Sequence, residues 1–420
     1  MNSFAELGVR PRTLETLLRL RISDPTEVQI AAIPILHEGR DCLIQSPTGS
    51  GKTLAFLIPM VEKLRGHQRC APRALIVTPT RELATQIGAV LAQLDPGLRR
   101  ALVFGGVGYG GQISSLSAAD VIIGCPGRLV DMSDRGAAAL GSVEFLVLDE
   151  ADEMLDAGFA KDVEKLVSRT KQRTPLGQRQ TVLASATMPD WVTQMASKHM
   201  IAPARVTVAP AAESQLEHGL FSVQRSQKVS VLSHLLKRSD STIVFHRTKH
   251  GTKKLARDLI ALGHATSELQ GNLSQVARDR AIAAFRRRET SVLVATNVAA
   301  RGIDVVDVDL VINYELPDTA DWLTHRVGRT ARNGASGRAL TFLSEDDAEK
   351  WRKLRRLGAP ALQFVDTDHL LNSGTMTFLA HKPEQELSHT PAARSEAAAS
   401  ARRSFHGPAR PGRGRRRHTG

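Results

Sequence analysis

Two short stretches carry side chains suited to phosphate chemistry. Ser46-Pro-Thr-Gly-Ser-Gly-Lys-Thr53 follows the apolar run Cys42 to Gln45 and precedes an apolar helical pattern, Leu54 to Leu64. A glycine-bearing loop at such a junction aims backbone N–H groups at phosphate oxygens. Ser46, Thr48, Gly49, Ser50 and Gly51 then form the cradle, Lys52 reaches the β and γ phosphates, and Thr53 holds Mg²⁺. The strict spacing GxxxxGK[ST] has Ser46 where glycine is written, and an ordinary strand-to-helix turn is the competing reading. The second stretch, Val143-Glu-Phe-Leu-Val-Leu-Asp149-Glu150, ends a buried strand in two acids. Asp149 suits Mg²⁺, directly or through water, and Glu150 suits an attacking water that must be oriented and deprotonated. A strand ending in acids by chance is the alternative for this stretch alone. The glycine loop about a hundred residues upstream turns the pair into a nucleoside triphosphate site.

Buried parallel strands must present these residues. Apolar runs ending in Gly, Pro, Asp or Thr occur in two series. The first is Cys42 to Gln45, Ala74 to Thr78, Ala101 to Phe104, Val121 to Ile123, Val143 to Leu148 and Thr181 to Ala184; the second is Thr242 to Phe245, Ser291 to Ala295, Leu310 to Asn313 and Ala339 to Leu343. Helical patterns alternate with them, including Lys253 to Leu262 and Arg278 to Phe285. The alternation predicts α/β units with parallel sheets covered on both faces. We divide the chain into domains at 1–207 and 216–366, a linker at 208–215 that overlaps the aperiodic stretch Ala202 to Ser214, and a disordered basic tail at 367–420.

Lys plus Arg total 56 against 43 Asp plus Glu, a formal charge of +13, with 42% hydrophobic and 24% charged residues. This is a soluble, folded composition whose charge favours a polyanion, nucleic acid first and anionic membrane second. No stretch approaches the roughly 20 apolar residues of a membrane helix, and no basic segment opens the chain, which predicts a cytoplasmic protein without a membrane partner. Cys42, Cys70 and Cys125 are widely spaced and read as packing residues, and the fourteen histidines lack metal-site spacing.

At Asp149-Glu-Ala-Asp152 the sequence resembles the DEAD-box branch of superfamily 2 helicases, a likeness extending from Phe4 to about Leu343. The resemblance implies two RecA-like domains in tandem. Pro25-Thr-Glu-Val-Gln29 looks like the Q motif, implying that Phe4, Thr26 and Gln29 serve adenine, although Ile22 stands where the family commonly has an aromatic. Pro79-Thr-Arg-Glu-Leu-Ala84, Gly105-Gly106 and Pro126-Gly-Arg128 resemble the motifs that hold the RNA backbone, with Cys125 for the usual threonine. The resemblance thereby assigns Pro79, Thr80, Arg81, Gly106, Gly127 and Arg128 to RNA, and such backbone contacts carry no base information. Ser185-Ala-Thr187 resembles motif III, which with Asp152 couples the acids to the RNA site.

In the second half, Val244-Phe-His-Arg-Thr248 resembles motif IV, and Gln270-Gly271-Asn272 with Gln275 to Arg278 the RNA-contact segment that follows, with Gln270 and Asn272 replacing the usual His and Asp. Ala295-Thr-Asn-Val-Ala-Ala-Arg-Gly-Ile-Asp304 resembles motif V, with Asn297 for the common Asp. This implies RNA contacts by Arg247, Gly271, Thr296 and Arg301 and ribose-side contacts by Gly302 and Asp304. His325-Arg-Val-Gly-Arg-Thr-Ala-Arg332 resembles motif VI, with Ala331 for the usual glycine. His325 and Arg326 are coupling candidates, and Arg329 and Arg332 are arginine-finger candidates whose planar donor forks match phosphate oxygens.

The implied activity is RNA-stimulated hydrolysis of ATP with Mg²⁺ as cofactor, by a monomer that locally unwinds RNA. Lys52, Asp149, Glu150, Arg329 and Arg332 would carry the chemistry. A DNA helicase of the same superfamily and a non-catalytic RNA-binding clamp are the alternatives. The tail arginines Arg413, Arg415, Arg416 and Arg417 are expected to tether RNA electrostatically or to act as a solubilising arm.

Overall fold

The computed structural model describes residues 3–47, 49–66, 71–171, 179–208, 216–300, 308–331 and 336–379. The apolar runs form two seven-stranded sheets. The first holds β1 (Cys42–Gln45), β2 (Ala74–Val77), β3 (Arg100–Val103), β4 (Val121–Gly124), β5 (Phe145–Asp149), β6 (Gln180–Ser185) and β7 (Ala204–Thr207), in the order β3-β4-β2-β5-β6-β1-β7. The second holds β8 (Leu216–Ser222), β9 (Thr242–His246), β10 (Thr266–Leu269), β11 (Val292–Thr296), β12 (Leu310–Asn313), β13 (Gly337–Leu343) and β14 (Gln363–Phe364), in the order β10-β11-β9-β12-β13-β8-β14. Every pairing between these strands is parallel.

Side chains of period two explain why the runs are almost continuously apolar. Ile44 and Ile76 enter one core with Phe56 of the helix Lys52–Leu64, while Leu43, Leu75 and Val77 enter another with Leu129. In the second sheet Val244 and Ile312 pack with Leu255 on one face, and Ile243 and Phe245 with Ile282 on the other. A strand with both faces covered cannot alternate polar and apolar residues. The strand order also sets the site: β6 lies between β1 and β5, so the loops leaving these three strands converge on one edge of the sheet.

Two expectations are corrected. The aperiodic stretch 202–214 contains β7, which pairs with β1, because one edge strand needs only a single covered face; residues 209–215 lie outside the described residues. The expected disordered tail does not begin at 367. The helix Thr367–Ser373 is capped by Asp366, whose carboxylate accepts from His369 N at 2.9 Å, and Leu370 and Met376 are buried against the second sheet. Val365 N donates to Leu220 O at 2.8 Å, and Val365 bridges Phe378. Gly219 permits this, since a Cβ there would collide with the Val365 side chain. The remainder of the tail call, 380–420, lies outside the described residues.

His218 on β8 gives this sheet a pH dependence. Its Nε2 lies 2.9 Å from Thr341 Oγ1, and burial lowers its pKa to about 4. The unfolded chain, with a histidine near 6.5, binds the proton more readily, so the contribution is complete above that value and is lost as pH falls toward 4. About 2 kcal/mol of stability should disappear over this window in the parent and not in His218→Gln, after allowance for the partial exposure of the ring. Denaturant melts of the two proteins between pH 4 and 7 check this; parallel curves would refute it.

Candidate active site and nucleic-acid interface

The loop before the helix Lys52–Leu64 is shaped by one residue that has no side chain. Gly51 caps the helix Lys52–Leu64 at φ +97°, and a Cβ there would sit 2.6 Å from Gln29 Nε2 and 2.8 Å from Thr26 Oγ1. Gln29 and Thr26 form a capping box at the start of the helix Glu27–His37: Thr26 N donates to Gln29 Oε1 at 3.0 Å, and Gln29 Nε2 donates to Gly51 O at 3.1 Å. The Q-motif residues therefore brace the loop. Ser46 and Ser50 share a 2.7 Å hydroxyl contact, and Lys52 Nζ donates to Ser46 O and Pro47 O, each at 2.7 Å. Phe4 is buried in the core, where it packs rather than offering a face to a base, and Ile22 packs against the same cluster.

The acids stand on the neighbouring strand ends. β5 delivers Asp149, in register with Ala184 of β6, and the chain then turns through Glu150 in a left-handed conformation, φ +53° and ψ +53°. A non-glycine residue there costs about 1–2 kcal/mol, which surrounding contacts must offset. Glu150 N donates to Asp149 Oδ1 at 3.1 Å, while Glu150 Oε2 is buried without a hydrogen-bond partner among the described residues. Burial, then the Glu150 carboxylate, raise the Asp149 pKa well above the usual carboxylate range, with Lys52 opposing them. Burial, then Glu153, raise that of Glu150, opposed by Arg329 and Lys52. Arg329, itself buried, follows the helix Ala320–Val327 of the second half, so a cation of that half acts electrostatically on this carboxylate.

Asp152 joins the acids to β6. Its Oδ2 accepts from Thr187 N and Thr187 Oγ1, each at 2.8 Å, and its own N donates to Ser185 Oγ at 3.3 Å. Asp152, Ser185 and Thr187 are thus brought together as the sequence predicts.

Across the sheet edge, Thr80 caps the helix Arg81–Leu94 beside buried Pro79, accepting from Leu83 N at 3.3 Å. The Arg81 guanidinium lies over Gly106, whose φ of +77° and missing Cβ make room for it. Arg128 Nη1 donates to Val107 O at 3.1 Å, at the start of the helix Pro126–Asp134 that also carries exposed Gly127. Cys125 and Cys42 are free thiols pushed up to about 12 by burial, as packing residues are. Opposite, Arg247 extends to the surface from the end of β9, Lys249 lies beside Gly271 and donates to Asn272 Oδ1 at 3.0 Å, and Thr296 closes β11.

The segment Gln275 to Arg278, which resembles an RNA-contact segment, binds the first half. Arg278 donates through Nε and Nη2 to Glu82 Oε1, at 3.0 and 2.6 Å, and through Nη2 to Ala299 O at 3.1 Å. Arg81 Nη1 donates to Gln275 Oε1 at 3.0 Å. Glu82 escaped sequence reasoning because its partner lies far along the chain, and only a shared fold brings them together. Arg326 is fully buried, donating Nε to Asn297 Oδ1 at 2.7 Å and Nη1 to Asn313 Oδ1 at 3.0 Å; burial lowers its pKa to about 9. Ala331 takes φ +55°, the conformation that the usual glycine would adopt without strain. Thr48, Arg301, Gly302, Asp304, Arg332 and the His325 side chain lie outside the described residues.

Two parallel sheets in tandem, with a glycine-bearing loop before a helix on the first and Arg329 of the second acting electrostatically on Glu150, define a RecA-like pair of α/β domains. Family models agree: DEAD/DEAH box helicase matches residues 26–195, and helicase conserved C-terminal domain matches residues 227–334. The chain belongs to the DEAD-box helicase family. It is 39% identical over 352 residues to the ATP-dependent RNA helicase DeaD of Mycobacterium tuberculosis, covering 81% of this chain and 61% of that protein. With the ATP-dependent RNA helicase RhlB of Vibrio campbellii it shares 38% identity over 358 residues, covering 82% and 81%. The structure of S. cerevisiae Dbp5 bound to RNA and ADP BeF3 matches with a TM-score of 0.77 at 31% identity, covering 88% of this chain and 97% of the other. The chain thus spans about six-tenths of the length of the mycobacterial relative.

Proposed function

We propose that this protein is an ATP-dependent RNA helicase that hydrolyses ATP to ADP and phosphate when RNA draws its two halves together, and that it separates short stretches of RNA duplex. One observation carries the reading: Glu150, with a buried oxygen that has no hydrogen-bond partner among the described residues, stands beside Asp149 on one half and is reached electrostatically by Arg329 of the other. Hydrolysis of this kind needs a base near water and positive charge near the leaving phosphates, and here the two are supplied by different halves. The relatives named as RNA helicases and the RNA-bound relative support the same reading.

The donor set fits a hard cation: Asp149 is a buried acid whose ionised form is disfavoured by burial and by Glu150. Asp149 and Thr53 would hold Mg²⁺, which neutralises phosphate charge when bound. Lys52 would transfer its ammonium from the Ser46 and Pro47 carbonyls to the β and γ phosphates, and Arg329 and Arg332 would meet the γ phosphate on closure. Gln29 would contact adenine. Arg81, Gly106, Arg128, Arg247, Gly271, Thr296 and Arg301 would follow the RNA backbone, and Asp152, Ser185 and Thr187 would tie that track to the acids. We read the working unit as a monomer, since one chain supplies both halves. No helix among the described residues is long and apolar enough to cross a membrane.

ATP at a hundred times its dissociation constant contributes about 2.7 kcal/mol. A duplex step is worth about 1.4 kcal/mol, taking DNA stacking as a proxy. One closure therefore melts little duplex, and the enzyme works locally. Phosphate release should rise severalfold with single-stranded RNA and little with DNA of the same sequence; equal stimulation would favour a DNA helicase, and none with either would leave a clamp. Lys52→Ala should weaken ATP binding by roughly 10- to 100-fold, the worth of a hydrogen bond to a charged group. Titration of a fluorescent ATP analogue reads this, and unchanged affinity would remove Lys52 from the phosphates.

A further inference from the structure

Beside the expected RNA track lies a group of side chains that nucleotide chemistry leaves unused. Tyr109 opens the helix Tyr109–Leu116 after the glycine-rich loop at 105–108. Its ring centroid is 4.2 Å from the Arg128 guanidinium carbon and 4.6 Å from that of Arg135. Arg128 and Arg135 stand on and just beyond the helix Pro126–Asp134. Arg135 Nε donates to Asp131 Oδ1 at 2.7 Å, and Asp131 also shares a hydrogen bond with Tyr109.

Two guanidiniums on one aromatic ring repel each other, and a single carboxylate, Asp131, faces them, so the group carries one net positive charge. The ring quadrupole attracts each cation and orients its donor fork over the ring face. The Arg128 side chain is 11% exposed and already engaged with Val107 O, whereas that of Arg135 is 56% exposed, with donors left over. Val107, Tyr109 and Ile113 form an exposed apolar rim, and Gly105, Gly108, Gly110 and Gly111 leave open space above it. A flat apolar rim beside oriented arginines is what a single strand needs: ribose and base against carbon, phosphate on guanidinium. Val107 follows Gly106, over which the Arg81 guanidinium lies, so the patch adjoins those two residues.

We propose that Arg128, Tyr109 and Arg135 form an outer grip for single-stranded RNA, in which Arg135 takes a phosphate beyond the segment held by Arg81 and Gly106, and Tyr109 holds both arginines in position. This rests on the RNA reading above and lengthens its footprint.

The test measures binding of oligouridines of graded length to the full chain with a non-hydrolysable ATP analogue, across a salt series. For long oligomers Arg135→Ala should lower affinity about three- to tenfold and reduce the slope of log affinity against log salt by about 0.7, one single-strand phosphate contact. The shortest oligomer that still binds should lose nothing. Tyr109→Leu should reproduce the loss and Tyr109→Phe, which keeps the ring, should restore binding, while basal ATP hydrolysis without RNA is unchanged in all three. Unaltered long-oligomer affinity and slope in both Arg135→Ala and Tyr109→Leu would overturn the grip, as would equal losses at every length. A parent chain that binds none of the oligomers would overturn both the grip and the helicase reading.

Discussion

Glutamine at position 150 should reduce RNA-stimulated turnover by about two to four orders of magnitude, the range that a positioned general base contributes, while ATP still binds. The carboxamide keeps the shape of the side chain and so keeps the left-handed turn that Glu150 makes after β5. It removes the proton acceptor and the like charge that helps raise the Asp149 pKa. ATP affinity should therefore hold or improve. A second readout separates lost chemistry from lost folding. Because the folded Glu150 pKa lies above its unfolded value, the nucleotide-free parent loses stability as pH rises through the folded value, and the variant does not suffer that loss. Glu150→Gln should thus melt at least as high as the parent at pH 8 and above. Single-turnover assays with bound ATP measure the rate, and near-normal turnover would remove Glu150 from its role.

Arg329→Ala should cost on the order of 10³ in turnover, the lower end of what arginine fingers contribute in phosphoryl transfer. Arg329 is buried at the seam and lowers the energy of an ionised Glu150, so its deletion strips the site of a cation the second half supplies. ATP affinity in the absence of RNA should change little, because the loop around Lys52 belongs to the first half. Arg329→Lys should recover only part of the rate, since an ammonium lacks the planar fork. The double variant Glu150→Gln/Arg329→Ala should be little worse than either single one, as expected for groups that act in one step. Losses that multiply instead would place the two residues in separate events.

What the sequence disclosed, and what it withheld, follows from how far apart interacting residues lie. The phosphate loop and the acids were legible because each is a few consecutive residues at a strand end, and central strands such as β1, β2 and β5 read as apolar runs because both faces are covered. β8 did not: Glu217, His218 and Gly219 interrupt it, although it pairs with β13 along its whole length. β10 is an edge strand, Thr-Ser-Glu-Leu, with one covered side and little apolar signal. The Glu82–Arg278 ion pair and the Tyr109–Arg135 contact depend on which helices the sheets set side by side, which no local pattern encodes. The disordered tail was begun too early because the helix Thr367–Ser373 is short and has one buried leucine, Leu370. Its order comes from packing, not from propensity.

The place of β8 bears on how the chain is born. The first sheet is complete once Thr207 has been made, but β8 must wait for both of its flanking strands, the nearer of which starts at Gly337. At ribosomal speeds of about 5–20 residues per second, Leu220 and Phe221 remain uncovered for on the order of ten seconds after synthesis. During that interval the nascent amino-terminal half is already a finished body, and the growing carboxy-terminal half presents an unsatisfied strand to whatever lies nearby. Chaperone dependence should accordingly concentrate on the later-made lobe.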